Sequence, residues 1–118
     1  MGTHALIRFR TLTHIYAVIY HPWDGGDVGS EFNKFYDSGK MVNGYSSSHK
    51  GEYLEFNGFD DLVIQYIVYV KSKHANGGVY MQPSDKELDN EHFNYDVVYD
   101  EDSGILTVND IARSTINV

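Results

Sequence analysis

Apolar and polar positions alternate at the start of the chain. Ala5, Ile7 and Phe9 fall between Leu6, Arg8 and Arg10, a period of two that predicts a strand with one buried face. After the break Thr11-Leu12-Thr13-His14, every residue from Ile15 to Tyr20 is apolar or aromatic, the pattern of a central strand covered on both sides. The two segments are close enough in sequence to pair as a hairpin. His21-Pro22-Trp23-Asp24-Gly25-Gly26-Asp27 ends the second strand, because proline has no amide to give to a ladder and the paired glycines tolerate positive φ. Behind it Val28, Phe32, Phe35 and Tyr36 recur at helical spacing, with Asp27 placed to cap and Asp37-Ser38-Gly39 to stop. A helix is therefore expected at about 28–37. From Gly39 to Gly51 the chain is rich in Gly and Ser with little apolar period, which reads as a surface loop.

The segment 58–74 is β-branched enough to be a strand, but its punctuation favours a helix. Asn57 can cap it, Asp60 and Asp61 fall in the first turn, Lys71, Lys73 and His74 in the last, and Gly77-Gly78 follows, a charge order that complements the helix dipole. Phe59, Leu62, Val63, Tyr66, Ile67 and Val70 form one face; Ile64 and Val68 widen it, so the helix is either deeply buried or in contact with a partner. Three strands follow at about 78–82, 92–99 and 104–108, the last two joined by the acidic turn Asp100-Glu101-Asp102-Ser103-Gly104. Phe93, Tyr95, Val97 and Tyr99 share one face and Asn94 and Asp96 the other, so one side of this hairpin is expected to face water. The order ββααβββ predicts one α+β domain over residues 1–118, a mainly antiparallel sheet covered by two helices.

Composition narrows the chemistry. The chain has no cysteine, which removes disulfides, thiolate metal sites and cysteine nucleophiles. Its net charge is −8, and the excess lies late: residues 1–50 carry five Lys/Arg against four Asp/Glu, whereas residues 51–118 carry four against thirteen. That sign disfavours direct binding to nucleic acid or anionic lipid and suits solubility or a basic partner. No apolar run is long enough to span a bilayer and no secretory signal opens the chain, so an intracellular or virion location is expected. Leu6 stands where a myristoylation pattern needs Ser or Thr.

Four landmarks occur in order along the chain: Met1-Gly2-Thr3-His4-Ala5-Leu6-Ile7, then Tyr20-His21-Pro22-Trp23-Asp24-Gly25 leading to Val28-Gly29, then Phe56-Asn57-Gly58 before a helix, then Gly77-Gly78-Val79-Tyr80. Together they resemble a family of small, largely uncharacterised proteins of bacteriophages and large DNA viruses, with an opening like M-G-T-[RHN]-x-L-I and a turn like Y-x-x-[WF]-D-G. The resemblance implies a viral origin and no particular reaction. Gly26-Asp27 makes this turn two residues shorter than the family's, so no ligand geometry carries over.

The segment from His21 to Gly29 is the most chemically loaded. It joins a strand to a helix start, where free amides can hold an anion, but it lacks both the GxxxxGK[ST] and G-x-G-x-x-G patterns, and Asp24 and Asp27 oppose a phosphate. Two readings stand. In one it is a structural turn, with Asp27 capping the helix and Trp23 closing the core edge. In the other, His21, Trp23, Asp24, Gly25, Asp27 and Gly29 form a ligand or partner surface, with Trp23 for stacking and His21 and Asp24 as polar anchors. The six histidines show no ligand spacing, so neither metal nor other cofactor is expected. No catalytic residue is assigned: there is no G-x-S-x-G elbow, and Ser46, Ser47 and Ser48 beside His49 lie in the expected loop.

The expected function is that of a non-enzymatic viral accessory protein, binding a host or viral protein through the Trp23 turn and an acidic face containing Asp100, Glu101 and Asp102. Two alternatives remain. One is a small-molecule or nucleotide-handling protein, sequestering or hydrolytic, with its pocket at residues 21–29. The other is a structural virion component that self-associates through helix 58–74.

Overall fold

The computed structural model describes residues 3–42, 54–73, 78–89 and 92–111. Its elements are β1 (Ala5–Thr11), β2 (Ile15–His21), a single 3₁₀ turn (Gly25–Asp27), α1 (Val28–Asp37), β3 (Gly39–Val42), β4 (Leu54–Asn57), α2 (Phe59–Lys73), β5 (Tyr80–Gln82), β6 (Phe93–Asp100) and β7 (Ile105–Ile111). The fold is α+β. A five-stranded sheet runs in the order β5-β2-β1-β6-β7, with β1 and β6 parallel and the other neighbours antiparallel.

The element order departs from the expected ββααβββ. β3 and β4 form a separate two-stranded parallel sheet between the helices, giving ββαββαβββ. Four residues are too few for a period to register in sequence. Tertiary pairing defines these strands, with Met41 opposite Phe56 and the Phe56 ring flush against Gly39, where a Cβ would stand 2.8 Å from the ring. The rest of the expected loop, with Ser46, Ser47, Ser48 and His49, lies outside the described residues, as do Met1, Gly2, His74 and Gly77.

One face of the large sheet carries both helices. Ala5, Ile7 and Phe9 of β1, Ala17 and Ile19 of β2, and Tyr95 and Val97 of β6 pack against Phe32 and Phe35 of α1 and Phe59, Leu62 and Tyr66 of α2. The Tyr66 ring is the hub, with centroids 5.2 Å from Phe9, 5.5 Å from Phe32 and 5.6 Å from Phe35, in tilted or edge-on arrangements that suit the ring quadrupoles. Gly58, whose φ of 91° only glycine adopts easily, leads into α2, and the Asp61 carboxylate accepts the Asn57 amide at 2.8 Å. Acids in its first turn and lysines in its last follow the order read from the sequence.

The opposite face corrects one expectation. Asn94 and Asp96 do not face water; both are buried. β6 is an interior strand beside β1, and the Arg8 guanidinium grips Asp96 through Nε and Nη2, each at 3.0 Å, while Arg10 Nε reaches the same carboxylate at 3.1 Å. Further along this face Leu88 covers Leu6 and Val18. Among the described residues, no helix is long and apolar enough to cross a membrane.

Candidate functional site

The connection after β2 is built differently from its sequence reading. Asp24, not a glycine, takes the left-handed conformation, at φ 54° and ψ 39°. Gly25 and Gly26 serve close approach instead: a Cβ on Gly25 would lie 2.3 Å from the His4 carbonyl oxygen, and one on Gly26 would lie 3.2 Å from the Phe93 ring. The Gly25 amide donates to the Thr3 carbonyl at 3.0 Å, and Tyr95 Oη donates to the Gly25 carbonyl at 3.0 Å, so this turn is riveted to β1 and β6.

Asp27 occupies the cap position of α1, but its side chain makes no capping bond. The 3₁₀ turn runs directly into α1 and supplies the acceptor itself, with the Val28 amide donating to the Gly25 carbonyl. Asp24 likewise makes no capping bond. Both carboxylates are exposed, and Trp23 is 58% exposed, so the indole does not plug the core.

These residues border a cleft of about 100 Å³ between the connection, α1 and the second half of α2. It brings together His21, Trp23, Asp24 and Asp27 from the predicted set and adds Val28, Glu31, Tyr66, Tyr69, Val70 and Lys73. Gly25 and Gly29 are not among the lining residues. Gly25 packs on the His4 backbone, and Gly29 lies against the Tyr95 ring, where a Cβ would come within 2.8 Å.

The polar groups of the cleft form two units. At its floor, Tyr66 Oη and His21 Nε2 share a hydrogen bond of 3.0 Å, both residues buried, and burial raises the Tyr66 pKa so that its hydroxyl keeps its proton. At the rim, Tyr69 Oη donates to Glu31 Oε2 at 3.0 Å and Lys73 Nζ to the same oxygen at 3.1 Å, with Nζ 4.8 Å from the Tyr69 ring centre. The bonds from Lys73 and Tyr69 hold the Glu31 carboxyl below its ordinary pKa. The lining thus carries three carboxylates against one ammonium, and Glu31 already engages that ammonium. Tyr66, Val70 and Lys73 recur at the i, i+4, i+7 spacing of one helical stripe, the sequence signal by which the α2 wall could have been found.

The acidic turn is elsewhere. Asp100, Glu101 and Asp102 border a shallow depression shared with Leu12 and Thr13, beyond the opposite end of β1 from the cleft. Asp100 Oδ1 accepts the amides of Asp102 at 2.9 Å and Ser103 at 3.3 Å, which lowers the Asp100 pKa. Glu101 and Asp102 are exposed. The two halves of the expected interface are therefore not brought together. Among the described residues, no cluster of three or more His, Asp or Glu side chains could hold a metal ion. Comparison with protein-family models, with curated proteins and with solved structures finds no match.

Proposed function

We propose that this chain is a small acidic accessory protein of a virus that works without catalysis, binding a protein partner by taking one of its basic side chains into the Trp23 cleft. The carrying observation is the exposed indole at the mouth of a cleft whose carboxylates outnumber its cations. A flat aromatic face beside acids suits a guanidinium or ammonium, through cation–π attraction and charge-assisted hydrogen bonds. Asp24 contributes one of these carboxylates from left-handed backbone, a conformation aspartate tolerates better than most non-glycine residues. A volume of about 100 Å³ accommodates one side chain and falls well short of the roughly 300 Å³ at which drug-sized sites begin. Size and sign both count against a nucleotide. The viral setting rests on the resemblance of the four sequence landmarks, and the acidic second half adds long-range attraction for a basic partner.

The test is capture of the chain by an immobilised arginine-containing peptide. Trp23→Ala should weaken binding by about tenfold or more, and Asp24→Asn with Asp27→Asn should weaken it and flatten its salt dependence. Wild-type binding by both variants would overturn the proposal. A second reading, a virion component that self-associates through α2, draws on Ile64 and Val68, which lie one helical turn apart and are each 62% exposed. Sedimentation equilibrium would show a dimer that Ile64→Glu dissociates; a monomer at high concentration would dismiss it.

A further inference from the structure

We propose that the depression at the β1–β2 turn is a binding site for a small oxyanion of the phosphate class. Arg8 and Arg10 project from one face of β1, and their guanidiniums share a single carboxylate, that of Asp96. Arg8 uses Nε and Nη2 for this contact and Arg10 uses Nε alone, so Arg8 Nη1 and both Nη groups of Arg10 make no hydrogen bond among the described residues. Within this cluster two positive charges meet one negative, on side chains 23% and 31% exposed, while the acidic turn Asp100–Asp102 borders the adjoining Leu12 and Thr13.

These arginines differ from ordinary surface cations. The buried Asp96 holds both forks in place before any ligand arrives, so little side-chain entropy is lost on binding. The β1–β2 ladder slips by one residue opposite Arg10, which pairs with Ile15 and leaves Tyr16 of β2 as the extra residue, so the bulge lies on β2 and not on the strand of the arginines. The depression beside the arginines is about 320 Å³ and includes Thr13 and His14. His14 Nδ1 is bonded to Thr13 Oγ1 at 2.9 Å, leaving Nε2 for a ligand. The two free Nη groups of Arg10 match two oxygens of a tetrahedral oxyanion as a fork, and Arg8 Nη1 supplies a further donor.

The site is tested by titrating the full chain with inorganic phosphate at constant ionic strength, chloride balancing, while side-chain Nε and backbone amide signals are followed by NMR. Saturable shifts confined to Arg8, Arg10 and residues 12–14 are expected at millimolar phosphate. Arg10→Gln keeps the Arg8–Asp96 pair and should lower the affinity roughly tenfold or more; Arg10→Lys keeps the charge without the fork and should fall between. Phosphoserine binding as tightly as phosphate would mean that an attached phosphoryl group is accepted, and weaker binding that the free ion alone fits; either supports the site. Absence of saturable shifts in the wild type, or phosphate affinity unchanged in Arg10→Gln, would overturn it.

Discussion

The two ends of β2 present opposite chemistry. Beyond His21, an exposed indole and three carboxylates border a narrow cleft; before Ile15, two guanidiniums share one acid beside a broad depression. Seven residues of strand separate them by about 20 Å, more than twice the roughly 8 Å over which charges are felt at physiological salt. Net charge therefore says little about either end. An acidic chain can carry one site that seeks cations and another that seeks anions, because what counts locally is which ionised groups are already engaged by neighbours.

The ends also differ in how they are held, and the largest effect should come from breaking the arginine end. Asp96→Ala leaves two guanidiniums side by side without their shared carboxylate and should cost about 3 kcal/mol in urea unfolding, at the lower edge for broken buried pairs because the arginines are partly exposed. A loss below about 0.5 kcal/mol would mean that the carboxylate does not organise that end. Gly25→Ala should cost about 2 kcal/mol, since its methyl meets the His4 backbone, which cannot yield as a side chain can. The same variant should weaken arginine-peptide binding by displacing Trp23 and Asp24, while leaving phosphate binding intact.

Smaller effects sharpen the contrast. Glu31 has a lowered pKa, so its contribution to stability is full at neutral pH and is lost as pH falls below the ordinary 4.5 through the lowered value. Glu31→Gln should lower stability modestly at neutral pH and leave it unchanged at low pH, so that the acid side of the stability profile flattens, as thermal unfolding across pH would reveal. Glu101→Lys with Asp102→Lys should act on the cleft only at long range, but locally at the arginine end, whose Leu12 and Thr13 the acidic turn borders. They should slow association of the basic peptide a few-fold at low salt without altering its dissociation, and strengthen phosphate binding at the arginine end. A change in dissociation of the basic peptide would place the acidic turn inside its interface.

Much of the fold was legible because periodicity and punctuation agreed. The α1 bounds match the spacing of Val28, Phe32, Phe35 and Tyr36, and α2 was resolved against its β-branched composition by the order of its charges. β3 and β4 were not legible, since four-residue strands exist only by pairing with each other. Asn94 and Asp96 misled because alternation identifies a face but not what covers it; the arginines that cover Asp96 lie eighty-six and eighty-eight residues earlier. Of the predicted site, His21, Trp23, Asp24 and Asp27 line one cleft, whereas Gly25 and Gly29 serve packing. Glu31, Tyr69 and Lys73 escaped notice because each helix alone gives them an ordinary surface or core role, and only the α1–α2 approach joins them.

Trp23 is the only tryptophan, so its emission reports directly on the cleft. The most direct measurement is therefore a fluorescence titration with an arginine-containing peptide and with the same peptide carrying citrulline, which keeps the shape of the side chain and removes its charge. A saturable change with arginine and at least about tenfold weaker binding with citrulline is the predicted result. Equal responses to the two peptides, or none to either, would contradict a cation-seeking cleft.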